Sequence, residues 1–396
     1  MCMRSKSLAV TALLMGALWP PSALAQPGGP RGPWANPSNA IRVSVAPNVP
    51  LSIAGKDASQ TRVQVQGSLM IIELRCDLTL RNESSQFLRG VTFAVLTDRH
   101  AAGGKATVAM PSLNIEPEGT FPAKLNLRLI RPLPASADDV IEVDVDGILL
   151  ADLTFYGPDR FHSQRRMKVW ETEASRDRRY FKSVLASGGT QGLQSEIAAS
   201  IDRQLRRPRL EARLAEDTVA GAFRQVGNQA EQRLELSSIS LSEAPIEVVS
   251  GAAVVDGVTA RSPQVTVRNI SRKPVRYFEI GWLVSDPQGR RYVAGSVPSS
   301  GAHVPPGAVA STDTQREYVF QIVSSPQSAG RLAISGMSGY VSQVEFEDGT
   351  VWVPPRSSLV NSRLIEIAPV SAEEQRLMGV YENLGLASVV QELSKF

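Results

Sequence analysis

Two copies of one short motif set the strongest limit on how this chain can fold. The first copy reads Leu78-Thr-Leu-Arg-Asn-Glu-Ser84, and the second reads Val265-Thr-Val-Arg-Asn-Ile-Ser271. Apolar and polar residues alternate in each copy, as in a strand with one buried face, and the Asn-x-Ser that follows is typical of a turn. The motif therefore predicts the same strand and the same turn at two separate places in the chain.

Further matches follow both copies in the same order. The strand after the turn ends at Asp98 in the first copy and at Asp286 in the second. Residues 113–119 then match residues 302–307, and residues 143–147 match residues 344–349. Four matches in one order favour an internal duplication, with the second copy running to about Ala368.

The clearest predicted strand covers residues 70–81, where every second residue is apolar. Cys76 falls on its buried face, so we interpret it as a small core residue and not as a reactive thiol. Residues 143–155 predict a hairpin closed at Asp146-Gly147, because this dipeptide suits a type I′ turn.

Between and after the two copies the apolar period becomes helical. Two stripes predict a helical hairpin that is divided at Gly188-Gly189, and Ser371 with Glu374 forms the capping box of a C-terminal helix that Gly385 interrupts. The stripes are Met167, Trp170, Ala174, Phe181 and Leu185, then Leu193, Ile197, Ile201 and Leu205.

The order of strand, Asn-x-Ser, second strand and Asp-x-x-Gly resembles the immunoglobulin-like and fibronectin-III-like β-sandwiches of exported bacterial proteins. The resemblance covers residues 61–155 and 261–353. Trp282 resembles the core tryptophan of that fold, although no cysteine pair flanks it and the first copy has Val95 near the same place. Similarity to bacterial exported proteins with duplicated domains of this kind implies a fold and no activity.

The predicted fold is mainly β, with two immunoglobulin-like antiparallel β-sandwiches joined by a helical hairpin and followed by a C-terminal helix. The predicted segments are a signal peptide at 1–25, a disordered Pro/Gly-rich spacer at 26–40, sandwich 1 at 41–158, a helical connector at 159–208, sandwich 2 at 209–368 and the C-terminal helix at 369–396.

The N-terminal residues predict export. Arg4 and Lys6 precede a short apolar run, and Ala23-Leu24-Ala25 is typical of a cleavage site, so we expect cleavage near Ala25 and a periplasmic or secreted protein. No later apolar run approaches the ~20 residues that span a bilayer. Loss of the signal lowers the formal charge from +3 to +1, which argues against a nucleic-acid-binding role.

The sequence contains no recognisable catalytic set, cofactor motif or metal site. His100, His162 and His303 lie in separate contexts without metal-ligand spacing. Glu142, Asp144 and Asp146 leave calcium open as an alternative, but they would share one strand face, and we interpret them as solvated. We therefore expect a protein that is not an enzyme, although carboxylates that the fold brings together are invisible in a sequence.

The connector is strongly basic, with thirteen basic against six acidic residues over 160–213. One interpretation is a docking face for an anionic envelope polymer, a lipid headgroup or an acidic partner, with Arg178, Arg179, Arg206 and Arg207 as the candidate binding residues. The other is a solvated helix face whose charge is balanced by the acidic C-terminal region.

These observations favour an exported, non-catalytic interaction or scaffold protein of the cell envelope, which binds an unidentified protein or anionic envelope component such as a polysaccharide. Peripheral contact with the envelope is compatible with the basic connector. The alternative is a glycan-binding or glycan-processing accessory protein that uses Trp352, Tyr292 and an acidic strand face.

Overall fold

The computed structural model of the chain describes residues 40–97, 105–132, 141–207, 210–215, 232–257, 259–299, 303–312, 317–322 and 333–396. The described chain is mainly β and contains several sheets, as the sequence predicts. The predicted signal peptide, residues 26–39 of the spacer, Asp98 and His100 lie outside the described residues.

The first β unit consists of two sheets that share one hydrophobic core. One sheet has the order β1-β8-β5-β6 with β9 beside β8, and in the other the long strand β4 pairs with β2 and β3 along one edge and with β7 along the other. The strands are β1 (Ile41–Ser44), β2 (Leu51–Asp57), β3 (Arg62–Gln66), β4 (Leu69–Asn82), β5 (Leu88–Leu96), β6 (Lys105–Met110), β7 (Thr120–Pro132), β8 (Ile141–Leu150) and β9 (Phe155–Tyr156).

Strand β4 organises this core as its alternating sequence predicts. Its inward side chains, Leu74 among them, pack with those of the facing sheet, such as Phe93 and Val143. Cys76 is fully buried on the same face, and burial raises the pKa of its thiol. Ala40, which the sequence assigns to the disordered spacer, is also buried in this core because it directly precedes β1.

The second β unit repeats the strand order of one of these two sheets, but its strands join into a single ten-stranded sheet. Strand β18 pairs with β11 in parallel and with β14 antiparallel, just as β8 pairs with β1 and β5 in the first unit. The strands are β10 (Leu210–Ala215), β11 (Gln232–Ser238), β12 (Ile246–Asp256), β13 (Thr259–Asn269), β14 (Val275–Ser285), β15 (Arg291–Pro298), β16 (Val309–Ser311), β17 (Glu317–Ile322), β18 (Gly336–Phe346) and β19 (Val351–Trp352).

The two units share irregularities as well as strand order. The β5–β8 ladder shifts register between Leu88 and Gly90 and again between Thr92 and Phe93. The β14–β18 ladder shifts between Val275 and Tyr277 and again between Glu279 and Ile280, at the same steps along the strand. A bulge inserts a residue at a defined place, so two matching bulges make Leu88 and Val275 equivalent positions.

The Asn-x-Ser turn has the same geometry in both units. Asn269 is fully buried, donates from Nδ2 to the carbonyls of Lys273 (2.9 Å) and Val304 (2.8 Å), and accepts from the amide of Ser271 (3.0 Å). Asn82 makes the corresponding bonds in the first unit. The predicted Asx-type turn is therefore confirmed, with the added role of tying the strand end to a distant loop.

Replacing Asn269 by alanine should lower the free energy of unfolding by about 1–3 kcal/mol, because it removes the hydrogen bonds of a fully buried side chain. Urea unfolding of the variant measures this loss. Asn126→Ala, at an exposed position of β7, is the matched control and should change stability by no more than about 0.5 kcal/mol. Equal losses in the two variants would contradict the structural role of Asn269.

The predicted hairpin at Asp146-Gly147 is wrong. Strand β8 continues through both residues to Leu150, and the chain turns afterwards, where the amide of Leu150 donates to the carbonyl of Thr154 (2.9 Å). Gly147 is needed for packing, since a Cβ there would lie 1.9 Å from Cζ of Phe155. Leu153 is thus the residue equivalent to Gly349, and it has the same left-handed backbone. The predicted match of residues 143–147 with residues 344–349 is therefore wrong.

The helices are α1 (Ser163–Arg206), α2 (Arg356–Asn361), a 3-10 helix (Leu364–Glu366), α3 (Ala372–Leu384) and α4 (Leu386–Ser394). Gly189 interrupts α1 with a non-helical backbone (φ 63°, ψ −163°), within the predicted glycine pair. The Ser371 side chain accepts from the amide of Glu374 (3.1 Å), which confirms half of the predicted capping box, whereas the Glu374 carboxylate accepts from Arg356 and Ser200 instead. Leu205 departs from its predicted stripe, because it is 77% exposed.

Among the helices that the structure describes, none is long and apolar enough to span a membrane.

Candidate functional site: the helical junction

Helix α1 is anchored to the first β unit at its beginning. Asp146 on β8 is fully buried and accepts from the amide of Arg160 (2.8 Å) and the hydroxyl of Ser163 (2.9 Å). Ser163 also lies 3.2 Å from the hydroxyl of Thr92 on β5. The interpretation of the 142–146 acids as a solvated face is therefore wrong for Asp146, because it holds the helix against the sheet.

The same helix contacts the second β unit. Lys168 donates to the carbonyl of Gly349 (2.9 Å), and the Arg165 guanidinium stacks 3.5 Å from the centre of the Tyr277 ring. Farther along, Arg176 donates to the carbonyl of Pro354 (2.8 Å). Helix α1 thus lies between the two β units and contacts both.

Two buried ion-pair networks connect α1 to the C-terminal helices. In the first network, Arg178 pairs with Glu171 on its own helix and with Glu373 on α3 (3.6 Å). The other members are Arg89 on β5, Arg376 on α3 and Glu392 on α4. Lys395 also pairs with Glu392, so three arginines and one lysine meet three carboxylates in a network that runs from the first β unit to the last helix.

The second network is centred on Arg356 in α2, which is 8% exposed. Its guanidinium lies 2.7 Å from Glu374, 3.3 Å from Glu196 and 3.4 Å from Asp177, and 4.0 Å from the centre of the Tyr180 ring. Arg176 pairs with Asp177, and Arg203 pairs with Glu196 and Glu374. Because Tyr180 and Glu196 lie on either side of Gly189, one arginine contacts both halves of α1.

Burial makes these networks sensitive to any loss of charge. Burial alone would lower the pKa of Arg356, but its hydrogen bonds to Glu374 and the charges of Glu374 and Asp177 raise it. Burial raises the pKa of Glu171, while the charges of Arg178 and Arg89 lower it. A buried ion left without its partner is strongly destabilising, so each network holds only when complete.

The four candidate binding arginines differ in placement. Arg178 is 4% exposed and sits in the first network, 3.9 Å from the Phe396 ring centre, so its charge is not available at the surface. Arg207 is half-buried, whereas Arg179 and Arg206 are exposed. Arg206 pairs with Asp202 one turn earlier (2.8 Å), and Arg179 donates to the Ser175 carbonyl. The structure therefore does not gather these four side chains into one face.

The aromatic residues predicted to stack on a glycan do not share an exposed surface. Tyr292 is 4% exposed, packs in the second core and donates to Asp286 (2.9 Å). Trp352 is half-buried between that core and a smaller apolar cluster that includes Leu283 and Leu364. Trp282 is 3% exposed, as its alternation with Phe278 predicts.

The remaining sequence candidates lie apart. His162 and His303 are both exposed, and His303 pairs with Glu347. Within the residues that the structure describes, no three His, Cys, Asp or Glu side chains are placed to hold a metal ion. In the second β unit, Glu345 is buried and lies 3.9 Å from Arg165. It too faces α1 and is not a solvated side chain.

Sequence reasoning missed one group of residues at this junction. Burial, with the charges of Glu173 on α1 and Glu279 on β14, raises the pKa of Tyr340 on β18 to about 12. Burial, with the nearby charges of Asp177 and Glu279, raises the pKa of Glu173 to about 6 despite the opposing charge of Arg176. Glu279 and Tyr340 are far from Glu173 in the chain, and no local pattern links the three.

No family model matches the chain, and no curated protein matches it. Among solved structures, a structure of allantoicase aligns over 74% of this chain and 90% of the allantoicase chain, with 8% identity and a TM-score of 0.09. A TM-score this low does not indicate a shared fold, so the function is argued from the junction itself.

Proposed function

We propose that this chain is an exported, non-catalytic interaction or scaffold protein of the cell envelope. In this proposal two immunoglobulin-like sandwiches, derived from one duplicated unit, are held at a fixed spacing by a helical hairpin and the C-terminal helices. The matching strand order, bulges and Asn-x-Ser turns of the two units support the duplication.

The observation that carries the proposal is the placement of charge in the connector. A helix that presents arginines to a partner would leave them exposed, but α1 directs Arg176, Arg178 and Arg203 into networks with the C-terminal acids. The basic connector is thus largely neutralised within the protein, and its role is to join the two β units. Fixed spacing favours a partner that contacts both units. Once such a partner has bound one unit, its contact with the other forms without further loss of translational and rotational freedom.

Two exposed arginines retain the capacity to attract an anionic partner. Arg166 lies over the Trp170 ring at 5.3 Å, and Arg179 donates only to its own helix. Neither forms an ion pair within the described part of the chain. They lie about 140° apart around α1, so they are separate exposed cations and not one basic surface.

A capture experiment with envelope extract tests this function. The mature chain, beginning at Gln26, is immobilised beside two variants, Arg356→Met to loosen the junction and Arg166→Glu/Arg179→Glu to reverse the exposed charge. A partner that recognises both units should be retained by the wild type, reduced at least about tenfold by Arg356→Met and little changed by the charge reversal.

The reverse pattern would assign binding to the two exposed arginines alone. Failure of the wild type to retain any component above an unrelated exported protein of similar charge would contradict the proposed function. Circular dichroism of each variant separates loss of binding from loss of fold.

A further inference from the structure

Strand β7 of the first β unit has an open outer edge. It pairs with β4 along one edge, from Thr120 opposite Arg81 to Pro132 opposite Leu69, and among the described residues no strand pairs with its other edge. An open edge presents unpaired backbone N–H and C=O groups, to which an extended segment of another chain can add as a further strand. Pro122 and Pro132 lack an N–H group, so the pairing edge lies between them.

The second β unit shows what such an edge accepts. Val309 on β16 lies opposite Arg268 on β13, as Thr120 on β7 lies opposite Arg81 on β4, so β16 and β17 occupy the place of β7. There β10 pairs antiparallel with β17 along its whole length. Over the described part of the first unit, no strand takes the place of β10. The edge of β7 is therefore a position where one unit carries an added strand and the other does not.

The charge of β7 defines the strand that fits beside it. The strand has three basic residues and no acidic residue. Lys124 and Arg128 are exposed on its outward face, whereas Leu125 and Leu129 are buried in the first core. A strand laid beside β7 would direct its own alternate side chains to these two faces. A segment with acidic residues on one face and apolar residues on the other therefore complements the edge.

We propose that the β7 edge binds an extended segment of a partner protein as an added antiparallel strand, with acidic side chains beside Lys124 and Arg128. A second copy of the chain fits this edge poorly. In antiparallel pairing centred on Asn126, Lys124 of one copy would lie opposite Arg128 of the other, and like charges directly opposite are destabilising. This inference rests on the proposed interaction role and names the kind of partner.

Synthetic strand peptides test the edge. The probe is a capped peptide of about nine residues that alternates valine with glutamate or threonine, and the control peptide has lysine in place of glutamate. Fluorescence anisotropy should show saturable binding of the acidic peptide to the mature chain and at least about 10-fold weaker binding of the basic peptide. Added salt should weaken the binding of the acidic peptide, because exposed charges are screened.

Methylation of peptide amides separates strand pairing from the attraction of charges alone. In an antiparallel pair, alternate residues of the peptide direct their N–H groups toward β7, and the others direct them away. Two peptides, each methylated on one alternate set of amides, keep the same charges. One should bind at least about 10-fold more weakly than the other, because its facing donors are removed. Equal affinities would show that no strand forms at the edge and would overturn the proposal.

Variants decide where the peptide binds. Lys124→Glu/Arg128→Glu should bind the acidic peptide at least about 10-fold more weakly and should prefer the basic peptide. Arg233→Glu/Arg268→Glu, at two exposed positions of the second unit, is the matched control and should bind as the wild type does. Unchanged affinity after charge reversal on β7 would place the peptide elsewhere and contradict the proposal.

The edge can fail separately from the contact of a partner with both units. The edge belongs to the first unit, so Arg356→Met should bind the acidic peptide as the wild type does. Normal peptide binding together with loss of capture of a partner would leave the edge in place. Loss of peptide binding with capture retained would remove the edge and leave the scaffold role.

Hydrogen exchange of the mature chain, resolved to single residues, completes the test. The amides of β7 that point away from β4 should exchange freely and become protected when the acidic peptide is added. Their protection without peptide would assign the edge to other residues of the chain or to a second copy, and would overturn the proposal. So would the absence of saturable binding by the acidic peptide.

Discussion

Replacing Arg356 by methionine should lower the free energy of unfolding by about 3–5 kcal/mol. The substitution keeps an unbranched side chain but removes the guanidinium that lies between Glu374 and Asp177, both of which are at least 97% buried. These carboxylates would stay buried with fewer partners, and the Tyr180 ring would lose the cation above it. Urea unfolding followed by circular dichroism measures the loss.

Arg206→Met is the matched control for this prediction. Arg206 also pairs with an acid, but its side chain is 78% exposed, so its removal should change stability by no more than about 1 kcal/mol. A loss at Arg356 as small as that at Arg206 would show that the second network does not hold the junction together.

Replacing Trp282 by alanine should cost about 3–5 kcal/mol, because it leaves a large cavity in the second core. Trp282 is 3% exposed and lies opposite Gly339 on β18. In the first unit the equivalent pair is Val95 and Val143, two residues of medium size.

Val95→Ala removes far less apolar volume from the equivalent position and should cost clearly less than Trp282→Ala. Thermal unfolding of the two variants beside the wild type gives the comparison. A melting temperature unchanged by Trp282→Ala would show that this residue does not support the core.

The parts of the fold that local chemistry determines could be predicted from the sequence. Alternation over 70–81 defined a strand, and Asn269 with Ser271 defined a turn, because the side chains that stabilise both lie within a few residues. The hairpin predicted at Gly147 was wrong, because the role of this glycine depends on Phe155, which packs against it only after the chain has turned. A glycine that makes room for a ring cannot be distinguished locally from a turn glycine.

The junction was predicted only in part, because its contacts join residues that are far apart in the chain. The excess of connector arginines was evident, and so was an acidic C-terminal region. Which arginine is buried, however, depends on contacts such as Arg178 with Glu373, far apart in the chain. The mutual influence of Glu173, Glu279 and Tyr340 gave no signal at all, because these side chains come from three separate elements.

In the proposed function, α1 and the C-terminal helices fix the spacing of the two β units. Spin labels at Lys124 in the first unit and Arg268 in the second, both exposed, would report this spacing by pulsed electron resonance, with the buried Cys76 replaced by alanine. A fixed spacing should give one narrow distance distribution for the wild-type junction and a broad one for Arg356→Met. A broad distribution with the junction intact would show that the spacing is not fixed.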